Sequence, residues 1–176
     1  MLKNMSHRGP DHQGYWISKE KNVFLGHNRL SIIDLSKNAN QPMYLDNQEI
    51  VIVFNGEIFN YLEIKEILIK KGYKFFSKSD TEVIISAYKE WGYDFVKKIE
   101  GQFDNRKKII FSARDRAGEK PFFYKFDGST FQFASELKGI FSEKFDSTKI
   151  NIKALDSFLT FGYVPGDLCI LEGVKK

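Results

Sequence analysis

The sequence predicts an α+β fold in which antiparallel sheet packs with helices in layers. Three observations carry this. Strand-like segments come first, two helical patterns follow, and more strands succeed them, so the order lacks the regular β–α alternation of a doubly wound parallel sheet. The strand candidates are short, aromatic and β-branched, with polar turns between them. The chain has 176 residues, 42% hydrophobic and 15% aromatic, enough for a core in one or at most two domains.

The elements follow in order. Residues 14–18 and 23–34 read as strands, and residues 36–42 (SKNANQP) as a polar loop. Residues 49–55 (EIVIVFN) form a nearly continuous apolar run, the pattern of a strand buried on both faces. Asn60 is placed to cap a helix that Gly72 stops. Ser79-Asp80-Thr81-Glu82 has the pattern of a capping box and opens a second helix ending at Gly92. Strands are predicted at 107–113, 121–126 and 130–134, a short helix at 135–141, and a last helix after the cap Asn151.

Composition excludes several classes. No apolar run reaches the 18 or so residues of a membrane span, and the N-terminus has no secretory apolar region. One Cys excludes a disulfide framework and a Cys-rich zinc site. The net charge of +4 is spread over Lys pairs without a block or aromatic interleaving, so nucleic acid is not an expected partner. A soluble cytoplasmic protein is the expectation. There is no phosphate-binding glycine loop.

Several short stretches hold residues suited to chemistry. In Phe54-Asn55-Gly56-Glu57, Asn-Gly is a turn signal, and a hairpin is the plain reading. Alternatively, the Asn55 amide and a nearby main-chain N–H converge on one oxygen, as an oxyanion hole requires. Arg29 suits a sheet-edge ion pair with Asp34 or Asp115, or a clamp on a small carboxylate. Asp80 suits the first turn of a helix, or a ligand ammonium. Arg29, Glu57 and Asp80 together match the two charges of a free α-amino acid. His7 and His12 flank Asp11 without a zinc spacing, and read as turn residues. His27 reads as a packed strand histidine, Arg114-Asp115-Arg116 as an ion-pair cluster, and Cys169 as a small apolar residue.

The ordered stretches HRGPDHQGYW, GHNRLSIIDLS, NQPM, FNGEIFNY, SDTEV, SARDRAGEKPFFY, FASELKGI and FLTFGYVPGD resemble the glutaminase domain of asparagine synthetases. This is a class II glutamine amidotransferase of the N-terminal-nucleophile hydrolase type. The resemblance implies a four-layer αββα sandwich of two antiparallel sheets between helices. It implies hydrolysis of glutamine to glutamate and ammonia through a cysteinyl intermediate, and use of the ammonia by an ATP-dependent domain to amidate aspartate. It implies that Arg29 holds the glutamine carboxylate, Asn55 and Gly56 form the oxyanion hole, and Glu57 and Asp80 receive the α-amine.

Against that pattern the chain shows departures. No cysteine precedes residue 169, although the family uses an N-terminal cysteine as nucleophile. The first strand is expected to be absent, and a core strand shortened where Phe103 runs into Asp104. The expected organisation is a partial amidotransferase domain at 1–165 and the start of a linker at 166–176. ATP and magnesium are expected only in an absent synthetase domain, with no cofactor or metal in this chain. The expected function is that of an inactive fragment of a glutamine-dependent asparagine synthetase. The alternative is a non-catalytic amino-acid-binding or interaction module derived from the same domain. Expected partners are glutamine, bound weakly or not at all, and the synthetase domain, with no nucleic acid and no membrane.

Overall fold

The computed structural model describes residues 1–98, 114, 120–141 and 149–176. The predicted strand at 107–113, the 103–104 junction and Asp115 and Arg116 lie outside the described residues. The architecture is α+β with small antiparallel sheets, and it divides into two units. One comprises Ser6–Glu119 with Leu2, the other Lys120–Lys176 with Met1 and Lys3–Met5.

In the first unit, β1 (His12–Ile17) pairs antiparallel with β2 (Phe24–Arg29), placing Gly14 opposite His27. His12 is therefore a strand residue and not a turn residue. Along β1, half-buried and exposed residues alternate, as a sheet with one covered face requires. The strand predicted over 23–34 stops at Arg29. The ladder runs out there: β1 begins at His12, opposite Arg29, and the Ser31 N–H donates instead to Asp11 Oδ2 at 2.7 Å.

A hairpin follows. β3 (Met43–Leu45) pairs with β4 (Ile50–Ile52) across a turn in which Asn47 and Gln48 take positive φ. β4 is three residues long and half-buried, shorter and more open than the run at 49–55 predicts. Asn55-Gly56 is not a hairpin turn; it leads from the end of β4 towards the next helix.

Two helices supply the core. α1 (Tyr61–Lys70) buries Ile64 and Leu68, four residues apart on one face. It ends in a Schellman motif: Tyr73 N–H donates to Leu68 O at 3.1 Å and Gly72 N–H to Ile69 O at 2.9 Å. Gly72 has φ +93°, which favours glycine. α2 (Asp80–Trp91) turns Val83, Ile84 and Ala87 inward, and a following 3-10 helix adds Phe95 and Val96. These residues, Ile58, Ile64 and Leu68 form one apolar cluster. Burying a side chain such as Leu68 contributes about 2–3 kcal/mol.

Two predicted caps differ from expectation. Asn60 makes no capping bond; its Nδ2 donates to Lys98 O at 2.9 Å. Ser79 caps α2 through Thr81 N–H at 3.1 Å, but Glu82 does not close a box onto Ser79. It reaches further back, to residues 76 and 77.

In the second unit, β5 (Phe123–Phe126) is the centre of a sheet ordered β6–β5–β7, with β6 at Phe131–Ala134 and β7 at Val174–Lys175. The β5–β6 turn is held by Asp127, which accepts from the N–H groups of Ser129 and Thr130. α3 (Leu137–Ile140) is a single turn. α4 (Ile152–Phe161) is capped by Asn151, whose Oδ1 accepts from Lys153 and Ala154 N–H, and stops at Gly162 with φ +76°. Cys169 is buried with Ala134, Ile140, Leu171 and Val174, in the apolar role the sequence suggests.

Candidate active site

The start of α2 is polar and buried. Asp80 is 5% exposed, and Thr81 and Glu82 are also buried. Asp80 Oδ2 accepts the Ile58 N–H at 3.2 Å, which seats the carboxylate against the segment that carries Asn55, Gly56 and Glu57. Burial pushes the Asp80 pKa up; N–H donation from Ile58 and Thr81 and the Ser79 hydroxyl counter this only in part. Glu82 braces the preceding turn, accepting from Phe76 N–H at 2.8 Å, Ser77 N–H at 2.7 Å and the Ser77 hydroxyl at 2.5 Å.

Arg29, at the end of β2, is 7% exposed. Its Nη1 donates to Ser36 O at 2.9 Å and to Asn40 Oδ1 at 2.7 Å, and its Nη2 donates to Asp34 O. The contact with Asp34 is therefore to the main chain. The Asp34 carboxylate is used by Ser36 N–H and, at 2.7 Å, by Lys78 N–H, and these bonds hold its pKa below the usual carboxylate value. No described carboxylate forms an ion pair with Arg29.

Gln41 joins the parts. Its Oε1 accepts Phe54 N–H at 2.6 Å, and its Nε2 donates to Phe54 O and to Thr81 Oγ1, each at 3.2 Å. It fixes the residue before Asn55 and the residue after Asp80. His27 bonds Phe54 O through Nε2 at 3.1 Å, and burial lowers its pKa, keeping the ring neutral. Gly56 lies under Phe54: a Cβ there would be 2.7 Å from the ring Cζ, so a side chain would have to displace the Phe54 ring. Gly14 meets Gln41 O so closely that a Cβ has no room.

The network thus gathers four of the sequence stretches, RLSIID, NQP, FNGEI and SDTE, in one place. Asp80 adjoins the Asn55–Ile58 segment directly, and Arg29 reaches it through Asn40 and Gln41. No hydrogen bond or ion pair joins Arg29 to Glu57 or Asp80. Glu57 is exposed and makes no hydrogen bond to a described residue.

The model of the glutamine amidotransferase domain matches residues 1–176. The chain belongs to the glutamine amidotransferase family. Among proteins similar to this amidotransferase chain is a putative asparagine synthetase [glutamine-hydrolyzing] 2 of Methanocaldococcus jannaschii, 41% identical over 199 aligned positions, covering all of this chain and 38% of that protein. Asparagine synthetase [glutamine-hydrolyzing] 1 of Bacillus subtilis is 37% identical over all of this chain and 29% of its own length. Amidase chry2 of Gibberella zeae is 39% identical over 93% of this chain and 22% of its own length. The amidotransferase chain spans less than two-fifths of the length of these relatives.

Sequence reading of the amidotransferase site missed Asn40, Gln41, Ser77 and Glu82. Asn40 and Gln41 stand in a Ser/Asn/Pro-rich loop, where polar residues signal only a turn. Glu82 follows the capping-box spacing and so hides a different set of partners.

Proposed function

We propose that this chain binds the α-amino acid glutamine as the amidotransferase portion of a glutamine-dependent asparagine synthetase. The observation that carries this is a pair of opposite charges in one hydrogen-bonded site, neither of them ion-paired to a described residue. Arg29 is a buried cation whose described hydrogen-bond partners are all neutral oxygens and which the Asp34 carboxylate meets only through space, and Asp80 is a buried carboxylate whose pKa is raised by desolvation. Each is costly alone, and each is relieved by a ligand with the opposite charge.

In this reading the Arg29 guanidinium takes the ligand carboxylate. Three of its five N–H donors are held by the loop at 34–40, and Nε–H and one Nη2–H have no partner among the described residues. Asp80 and Glu57 take the ammonium. The Asn55 side chain and the Gly56 N–H face the side-chain carbonyl as an oxyanion hole. Residues 1–165 contribute to a four-layer αββα domain, with 166–176 leading towards a synthetase region. That region uses ATP and magnesium to amidate aspartate with the released ammonia. The sole cysteine of residues 1–176, Cys169, is buried in an apolar cluster. These residues accordingly bind glutamine and do not hydrolyse it.

The test is an NMR titration of the 176-residue chain with L-glutamine. Amide signals of residues 55–58 and 80 shift and saturate with a Kd on the order of 1 mM. Glu57→Gln weakens binding about tenfold at an unchanged melting temperature, because Glu57 is exposed and braces no described residue. Unmoved signals throughout the titration reject the reading. Ammonia release by the chain would reject its non-hydrolytic part.

A further inference from the structure

Among the described residues, every hydrogen bond of the Arg29 guanidinium goes to a neutral oxygen: two main-chain carbonyls and the amide of Asn40. The nearest acid in sequence, Asp34, gives its carboxylate to the N–H groups of Ser36 and Lys78 and acts on Arg29 only through space, without an ion pair. We infer that Asn40 is a positioning residue for the Arg29 guanidinium, and that it sets the selectivity of the site for a carboxylate by holding the cation without neutralising it. The inference rests on the glutamine reading above and names a residue that determines its specificity.

The physical reasoning is a comparison of two side chains of one shape. Asn and Asp both offer an oxygen at the Asn40 Oδ1 position, 2.7 Å from Nη1. Asp would add a full charge to a contact that is partly buried, where screening by water is weak. The fork would then have a directly bonded counter-ion, and an incoming carboxylate would meet a fork already paired at Nη1. Asn keeps the direction of Nη1 and leaves the positive charge to the two donors without a described partner. Gln41, the next residue, fixes Phe54 and Thr81. One dipeptide therefore aligns the cationic end of the site with its oxyanion and ammonium ends.

The experiment compares wild type, Asn40→Asp and Asn40→Ser for thermal stability and for affinity towards L-glutamine and L-glutamine α-amide, whose carboxylate is replaced by an uncharged carboxamide. Wild type prefers L-glutamine. Asn40→Asp melts no lower than wild type, binds L-glutamine at least about tenfold more weakly, and loses the preference over the α-amide. Asn40→Ser is neutral and too short to reach Nη1. It melts lower and binds more weakly, yet keeps the preference, and it carries the test should Asn40→Asp fail to fold. A merely bracing residue gives a different pattern: affinity follows stability in both variants, and Asn40→Asp binds like wild type. That pattern, or loss of the preference in Asn40→Ser, overturns the inference. Failure of wild type itself to bind L-glutamine overturns the glutamine reading instead, so the two failures are told apart.

Discussion

The starts of α1 and α2 can be set side by side. Each follows a polar residue, Asn60 or Ser79, and each has a Glu three positions later, Glu63 or Glu82. At α1 the Asn60 side chain caps nothing and Glu63 is exposed. At α2 Ser79 caps Thr81, and Asp80, Thr81 and Glu82 are all buried with side-chain partners. The difference is access to water. A solvated helix start has its orphan N–H groups satisfied by solvent, whereas a buried one must find a protein acceptor for every donor. Each polar side chain at α2 therefore has a fixed position, and a carboxylate placed there can serve a ligand.

The contrast can be broken or sharpened by substitution. The largest effect is expected at the apolar face of α1. Leu68→Ala lowers unfolding free energy by about 2–5 kcal/mol in urea titration, since Leu68 is fully buried and α1 depends on packing. A loss near zero would show that α1 is not docked by that face. Glu82→Ala comes next, at about 2–3 kcal/mol, because it strands buried donors of Ser77 as well as the Phe76 N–H. Ser79→Ala costs about 1 kcal/mol, the usual loss of an N-cap.

Asp80 and Asp34 give the contrast a pH dependence of opposite sign. The raised pKa of Asp80 means that its stabilising contribution is full below the unfolded value and is lost as pH rises through the folded value. The lowered pKa of Asp34 makes its contribution present above the unfolded value, to be lost as pH falls through the folded one. With rising pH, melting curves of Asp80→Asn therefore gain on wild type above about pH 4, whereas those of Asp34→Asn lose ground below about pH 4. The same direction in both variants would contradict the assignment. The smallest effect is Asn60→Ala, a few tenths of a kcal/mol, since it removes one exposed bond and no cap.

The sequence was most legible where periodicity and punctuation agreed. α1 and α2 were visible in their apolar spacing and in Gly72 and Gly92, and α4 in Asn151 and Gly162. The strands were less so. β3 has three residues and no alternation to read, and 30–34 looks like strand because Leu30, Ile32 and Ile33 are apolar, although all three are exposed. No local rule could show that Asp34 bends that segment towards Lys78, 44 residues away. The charged candidates Arg29, Glu57 and Asp80 stood out by type. The neutral amides that brace them did not, because Asn and Gln in a loop have many commoner uses.

Gln41 has a consequence for how the sheet can end. A primary amide carries one donor and one acceptor side by side, the same pair that a neighbouring strand presents to a residue opposite it. By meeting both main-chain groups of Phe54, this side chain counterfeits a single rung of β-ladder. The chain beyond β4 is released from pairing at that point without an orphaned polar group, and the irregular turn through Asn55 and Gly56 becomes possible there. Replacement by Glu or Met would remove the donor or both functions, and with them the paired bonds that hold Phe54 two residues beyond β4.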